Sequence, residues 1–204
     1  MLIGLSGAKG SGKDTVAAYL VEKYKFKRLS FAAKLKDSAA AVFGVDPDSW
    51  EIWKNLPNMR VQIVEDVPIE ECRPIWADIS VREMLQNYGT ESHRHVFGDD
   101  FWVDQVIPKG DYNAYKSFYY GRQVVSDVRF ENEAQRIKDC GGILFQIDRP
   151  DIERNDNHIS ETLLPENMIN YVLKNDGTVN DLYKGVDELF IRILLDAVSP
   201  VDGA

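Results

Sequence analysis

Apolar residues recur along this chain at two spacings, and the alternation between them outlines the elements. Leu2-Ile3-Gly4-Leu5-Ser6 is a short apolar run of the kind a buried strand makes. Past a glycine-rich stretch, Val16, Tyr19, Leu20 and Tyr24 fall on one face of a helix. Phe26 to Phe31 predicts a second strand. Ala32, Leu35, Ala39, Val42 and Phe43 then repeat at helical spacing, and Gly44 stops that helix. Residues 45–79 are the least regular, with Pro47, Pro57, Pro68 and Pro74; they predict an insertion with short helices rather than a separate domain. Ser80 and Glu83 form a capping box, and the helix it opens runs through Met84, Leu85 and Tyr88 to Gly89. A further helix is expected over Phe101 to Ile107, and a tyrosine-rich loop over 108–121.

The second half repeats the alternation. Gln123 to Ser126 predicts a third strand, ending in Asp127. Asn132 to Cys140 predicts a helix, stopped by Gly141-Gly142, and Ile143 to Ile147 a fourth strand. Residues 148–167 are polar and read as a short lid loop. Ile169 to Leu173 predicts a fifth strand, and Val179 to Ala197 the last helix, followed by a frayed tail. Strands alternating with helices imply an α/β fold: a five-stranded parallel sheet covered by helices on both faces, within a single domain over 1–204. Ligands bind such sheets at the carboxyl ends of the strands. The loops beginning at Ser6, Phe31, Ser126, Ile147 and Lys174 are therefore expected to share the edge that carries the site.

Composition narrows the partners. The chain has 204 residues, 44% hydrophobic and 28% charged, and that length supports a full core. Its net charge of −9 argues against sequence-independent binding to a nucleic-acid polymer, so any phosphate site must be a local basic pocket. Cys72 and Cys140 lie far apart without CxxC spacing, which suits free thiols in a reducing cytoplasm better than a disulfide or zinc site. The chain begins as a strand, so no secretory leader is expected. No apolar run approaches the ~20 residues that span a bilayer, so no membrane partner is expected either. His93, His95 and His158 do not have zinc-type spacing.

The chemistry concentrates first in Gly7-Ala8-Lys9-Gly10-Ser11-Gly12-Lys13-Asp14-Thr15. Strand, glycine-rich loop, lysine, then helix is the context of a phosphate-binding P-loop. Glycines let successive N–H groups converge on one anion, and the helix N-terminus adds its positive end. Lys13 supplies a cation for the β- and γ-phosphates. The residue after the lysine is ordinarily Ser or Thr; here it is Asp14, with Thr15 next. Asp14 can bind a metal directly, bind it through water, or cap the helix.

Other candidates have plainer alternatives. Asp127 follows a strand, where P-loop proteins carry a second acid for magnesium or its water; it can equally cap the next helix. Arg129 can fork onto a phosphate or pair with Glu131 or Glu133. Arg82 and Gln86 share a helix face, with Gly89-Thr90 at its end, so this group can hold an acceptor phosphate and read a base edge; an exposed polar face is the alternative. Trp102 can stack on a base or fill core. Arg149 and Arg154 can close over phosphates or remain in a solvated loop. Asn175 and Gly177 can approach an adenine or form a turn with a cap.

Eight segments stand in one order across nearly the whole chain: SGAKGSGKDT at Ser6–Thr15, SFAAKLKD at Ser30–Asp37, VREMLQNYGTE at Val81–Glu91, DDFWV at Asp99–Val103, SDVRFENEA at Ser126–Ala134, IDRP at Ile147–Pro150, NDNHISE at Asn155–Glu161 and NDGTVNDL at Asn175–Leu182. The chain resembles the deoxynucleoside monophosphate kinases of tailed bacteriophages, within the wider group of P-loop kinases. That resemblance implies a three-layer P-loop kinase fold and transfer of the ATP γ-phosphate to a dNMP, giving dNDP and ADP. It implies Mg²⁺ beside ATP, with Asp14, Thr15 and Asp127 on the metal side. Gly7, Gly10, Ser11, Gly12, Lys13, Asp14, Thr15, Arg149, Asn175 and Gly177 would contact ATP. Lys34, Arg82, Gln86, Gly89, Thr90, Trp102 and Arg129 would form the acceptor site, and Lys13, Asp14, Arg82, Asp127, Arg129 and Glu133 the catalytic edge. It leaves monomer or homodimer open and places a phage-encoded member in the host cytoplasm. Two other readings stand beside it: a P-loop kinase for another small acceptor, of dephospho-coenzyme A or phosphomevalonate type, and a non-enzymatic nucleotide switch. The switch lacks support, because Asn175-Asp176-Gly177-Thr178 is not a guanine-reading motif.

Overall fold

The computed structural model describes residues 1–53, 59–63, 75–109, 121–150 and 163–198. In chain order these form β1 (Leu2–Ser6), α1 (Lys13–Tyr24), β2 (Lys27–Leu29), α2 (Phe31–Phe43), α3 (Ser49–Trp53), β3 (Met59–Ile63), β4 (Ile75–Ile79), α4 (Val81–Gly89), a π-helical turn (Thr90–Arg94), α5 (His95–Phe97), α6 (Phe101–Val106) and β5 (Gln123–Val125). A helix over Glu131–Asp139, β6 (Ile143–Asp148), a 3₁₀ turn (Glu166–Met168), β7 (Tyr171–Lys174) and a last helix over Val179–Val198 complete them. The chain divides into two compact units, one of Met1–Phe31 with Val103–Ala204 and one of Ala32–Trp102.

The first unit holds a five-stranded sheet in the order β2-β5-β1-β6-β7, and every pairing is parallel. Ile3 on β1 stands opposite Val124 on one side and Ile143 on the other. Being central, β1 is buried along its whole length, which is why it reads as a continuous apolar run. Its alternate residues enter different cores. Ile3 and Leu5 join Val16 and Leu20 of α1 and Leu182, Val186 and Phe190 of the last helix. Leu2 joins Val103, Ile107, Ala134, Ile137 and Leu144 in a second cluster. Two helical layers therefore cover the two faces, each buried aliphatic side chain contributing about 1.5–3 kcal/mol.

Within this unit the expected elements hold, with shifted ends. Phe31 opens α2 instead of closing the second strand, because a carboxylate just past β5 caps its N–H: Asp127 Oδ1 accepts from Phe31 N at 3.0 Å. The third strand stops at Val125, and the fifth begins at Tyr171 rather than Ile169.

The second unit departs further from expectation. Part of the irregular stretch is a regular antiparallel ladder, β3 against β4, pairing Met59 with Ile79 and Ile63 with Ile75. Met59, Val61 and Ile63, like Ile75, Ala77 and Ile79, alternate with period two. None of the prolines at 57, 68 and 74 falls among the paired residues, so none interrupts the ladder. Val42 and Phe43, part of the apolar repeat of α2, are 66% and 48% exposed; Ala39, Ala40 and Trp50 form the core there together with Val81 and Met84. Trp50 also donates its indole N–H to Lys36 O at 3.0 Å, which ties α3 to α2. Gly89 does not stop its helix. It has φ −73° and ψ −39°, and the backbone continues through the π-helical turn and α5 to Gly98, at φ 96°. Among the described residues no helix is long and apolar enough to cross a membrane.

Candidate phosphate-transfer site

Between β1 and α1 the chain turns on glycines with positive φ: Gly7 at 142°, Gly10 at 78° and Gly12 at 106°. Two of them are also hemmed in. A Cβ on Gly7 would run into the carbonyl oxygen of Ile147, and one on Gly12 would lie 2.7 Å from the Asn175 amide nitrogen. No other residue type satisfies both the backbone angle and the space. Gly12 is the N-cap of α1 and brings no side-chain acceptor, so the first-turn N–H groups of a twelve-residue helix face the loop without a side-chain cap. Lys13 Nζ donates to the carbonyls of Gly7 at 2.6 Å and Ala8 at 2.7 Å, which lays its charge across the loop. Ser11 is 1% exposed, and its Oγ has no hydrogen-bond partner among the described residues. A buried hydroxyl left over beside convergent N–H donors and a lysine is the donor set a polyphosphate needs.

Neighbouring strands steady this loop. Asn175, just past β7, donates its side-chain amide to Ser11 O at 2.8 Å and its backbone N–H to Asp148 O at 2.7 Å. The plain-turn alternative holds nearby: Thr178 and Asp181 cap the last helix reciprocally, and the Thr178 hydroxyl, then its N–H, keep the Asp181 carboxyl below its ordinary range. A Cβ on Gly177 would lie 2.9 Å from that carboxylate. Arg149, exposed after β6, sets Nη1 3.4 Å from Gly10 O. Arg154 and His158 lie outside the described residues.

The acids divide by partner. Asp14, whose side chain is 84% exposed, pairs with the guanidinium of Arg28 on β2. The same guanidinium donates from Nε to Ser126 Oγ at 3.0 Å. Asp127 does cap a helix, but that helix is α2: Oδ2 accepts from Ser30 Oγ at 2.9 Å and Oδ1 from Phe31 N. Glu133 is 2% exposed and accepts from the backbone N–H groups of Arg129 at 2.8 Å and Phe130 at 3.1 Å. Here it fixes the backbone that carries Arg129, as an N-terminal helical carboxylate does. The pattern of charges gave no sign of Arg28, because it stands on a three-residue edge strand outside any motif.

The second unit gathers the remaining candidates. Ser80 Oγ accepts from Glu83 N at 3.1 Å, so the capping box sets where α4 begins. Arg82 and Gln86 follow on α4, both half-buried. Lys34 is exposed on α2. Gly89 is needed for space, since a Cβ there would collide with Leu35 Cδ1. Trp102 is 3% exposed, and its indole N–H donates to Gly89 O at 2.9 Å. Of the two readings open for this residue, core packing describes the ring as it stands: it is buried and holds the end of α4 in place. Thr90 opens the π-helical turn and sends its own N–H back to Asn87 and Gln86 carbonyls. Inside the turn His93 Nδ1 meets Tyr88 O at 2.7 Å, with the Trp102 ring centroid 4.9 Å away. Nothing in the sequence marks His93, because the π-helical register that brings it there has no sequence signature.

Among the described residues no three His, Cys, Asp or Glu side chains gather as a metal-binding group. Mg²⁺ needs no such cage; it keeps several waters and takes one or two protein oxygens beside substrate phosphates. Asp14, Thr15 and Asp127 are hard oxygen donors of that kind, so the residues fit an ion bound chiefly through a nucleotide.

A parallel α/β sheet whose first strand feeds a GxxxxGK loop into a helix defines a P-loop nucleotide-binding protein. The sequence model of one family, deoxynucleotide monophosphate kinase, matches residues 52–186. A protein of Acanthamoeba polyphaga mimivirus, provisionally named a deoxynucleotide monophosphate kinase, is 32% identical, with 91% of this chain and 94% of that protein aligned. The deoxynucleotide monophosphate kinases of Escherichia phage RB69 and Enterobacteria phage T4 are 24% and 25% identical, covering 92% and 91% of this chain and 98% and 96% of theirs. The chain belongs to the deoxynucleotide monophosphate kinase family.

Proposed function

We infer that this protein transfers the γ-phosphoryl group of ATP to a deoxynucleoside monophosphate, releasing ADP and a deoxynucleoside diphosphate. The observation that carries the reading is the glycine loop with Lys13 across it, found in a chain of this family.

The acceptor is a phosphate monoester, largely a dianion near neutral pH, so its oxygen attacks without a strong general base. A bond forms from that oxygen to the γ-phosphorus, and the bond to the β–γ bridging oxygen breaks, leaving ADP. The protein's task is alignment and charge neutralisation. The loop N–H groups hold the phosphates of ATP, and Lys13 exchanges the Gly7 and Ala8 carbonyls for β- and γ-oxygens. Bound Mg²⁺ would neutralise further phosphate charge, held on the protein side by Thr15, Asp14 or Asp127. Arg149 joins the ATP end, and Arg129 the transferring group. Arg82, Gln86, Lys34 and Thr90 hold the deoxynucleotide, Arg82 by its phosphate and Gln86 by its base. Gly89 and Trp102 keep that helix end in place. ATP and deoxynucleotides are cytoplasmic solutes, so the reading places the protein in the cytoplasm, with no nucleic-acid polymer or membrane as partner.

The test is a coupled ADP-release assay with ATP, Mg²⁺ and each of dAMP, dGMP, dCMP and dTMP beside the matching ribonucleotides, with Arg82→Ala as the control. Turnover with one or more dNMPs, lost in the control, is expected. ATP binding without turnover on any monophosphate would overturn the acceptor assignment.

A further inference from the structure

One cation at the phosphate end belongs to no motif. Arg28 lies on β2, yet its guanidinium spans two loops of the site: Nη2 pairs with Asp14 in the first turn of α1, and Nε donates to Ser126 Oγ at 3.0 Å, next to Asp127. Ser126 is 3% exposed, and its Oγ also lies 3.4 Å from Leu29 O, so this end of the fork is anchored in the sheet. The Asp14 side chain is 84% exposed and that of Arg28 43%, so the outer end of the fork reaches solvent.

The need for such a residue follows from charge. This loop replaces a neutral hydroxyl by a carboxylate directly after Lys13. An unpaired carboxylate there repels a polyphosphate and competes for the lysine. A cation fixed on a strand, with its planar fork already oriented by Ser126, cancels that charge and keeps the carboxylate from Lys13. A solvent-exposed pair of this type adds little to folding. Its consequence falls on the ligand.

We propose that Arg28 is a positioning residue of the triphosphate site: it neutralises Asp14 and holds it aside, so that a P-loop with an acid after its lysine still accepts a nucleoside triphosphate. The inference rests on the reading of the loop as the ATP site. It acts through Asp14, so the effect of losing Arg28 must vanish when Asp14 loses its charge.

The test is a binding cycle read by calorimetry with wild type, Arg28→Ala, Asp14→Asn and the double variant, each titrated with ATP in chelator and again with Mg²⁺ present. In chelator Arg28→Ala is expected to weaken ATP about tenfold. The double variant should return to within about threefold of Asp14→Asn alone. With Mg²⁺ the Arg28→Ala loss should shrink to about threefold or less, because the ion already offsets ligand charge. Arg28→Lys keeps the charge but not the fork that joins Asp14 to Ser126, so it should recover only part of the metal-free affinity that Arg28→Ala loses, and melting curves separate binding loss from misfolding. Equal losses from Arg28→Ala with and without the Asp14 charge would overturn the proposal, since Arg28 would then act on the nucleotide itself. An unchanged metal-free affinity in Arg28→Ala would overturn it too. A wild type that does not bind ATP at all would overturn the ATP-site reading along with it.

Discussion

The loop after β1 and the helix α4 both present groups suited to phosphate, but by different means. At Gly7–Lys13 the donors are mostly backbone N–H groups, held by glycine angles and by Asn175 bonded to Ser11 O. On α4 and the turn after it they are side chains, Arg82, Gln86 and Thr90, set by a capping box at one end and by Trp102 on Gly89 O at the other. A site made of backbone is fixed by where the chain can turn, and one substitution by a larger residue disrupts it. A site made of side chains on a regular helix tolerates exchange of any one of them, and with it a change of ligand. The first suits a feature common to all nucleotides, the second a feature that differs between them.

The largest effects should therefore come from the loop. Lys13→Ala is expected to lower kcat/KM by about 10²–10³-fold in the coupled assay, the loss typical of one strong charged or oxyanion donor. Gly12→Ala should weaken ATP to a similar degree without removing any functional group, because its Cβ meets the Asn175 amide at 2.7 Å and its φ is 106°. A Gly12→Ala protein with wild-type ATP affinity would break the contrast at its strong end.

Arg82→Ala comes next. It should raise the KM for dNMP by about 10–100-fold, the weight of a charge-assisted bond or two, and leave ATP affinity within about twofold. Gln86→Ala should change the ranking among bases more than the sum of activities. Equal losses for ATP and dNMP in either variant would mean that α4 does not form a separate acceptor surface.

This contrast also explains what could be read from sequence. Backbone-built features have sequence signatures, since only glycine tolerates those angles: the loop, the helix after it and the five parallel strands were all legible. So was the start of α4, because Ser80 and Glu83 are a local signal. What escaped depends on contacts across the fold. Phe31 reads as strand until Asp127, just past β5, caps it. Arg28 looks like any surface arginine until β2 places it between Asp14 and Ser126. Gly89 reads as a stop, yet it is there to admit Leu35 and to offer its carbonyl to Trp102. The β3–β4 ladder is hidden because the prolines read as breakers, although none falls among the paired residues.

Trp102→Phe tests the positioning side of the comparison. Phenylalanine keeps a smaller aromatic ring in the core, leaves Gly89 O without its donor and opens a small cavity, so a loss of about 1–3 kcal/mol or more in unfolding free energy is expected by urea titration. The KM for dNMP should rise with it, while Lys13-dependent ATP binding stays unchanged. A stability loss with no change in dNMP KM would reduce Trp102 to packing.

The smallest effect lies away from the glycine loop, along the later turns of α1. Asp187 on the last helix accepts from Lys23 at 2.6 Å, Tyr24 at 2.7 Å and Tyr19 at 3.0 Å, binding α1 to that helix. Burial pushes the Asp187 carboxyl up, but the bonds from Lys23, Tyr24 and Tyr19 outweigh it, and the net direction is below its ordinary 3.8. A depressed carboxylate stabilises the fold above its unfolded pKa and loses that contribution as pH falls through the lower, folded value. Tyr24 runs the other way. Burial first, then its bond to Asp187, pushes the phenol up to about 12 from 10, so its contribution is complete below pH 10 and is lost as pH rises toward 12. Asp187→Asn should therefore cost about 0.2–1 kcal/mol at pH 7, the range of a partly exposed pair. The deficit should close as the wild type is acidified below pH 3.8, in urea midpoints taken from pH 2 to 7. ATP affinity should not change, because the cluster holds the far turns of α1 while the loop holds the first. A deficit that persists unchanged at pH 2 would assign the loss to packing instead of charge. A drop in ATP affinity would mean that the backbone-built site depends on the whole length of its helix, and the contrast with α4 would narrow accordingly.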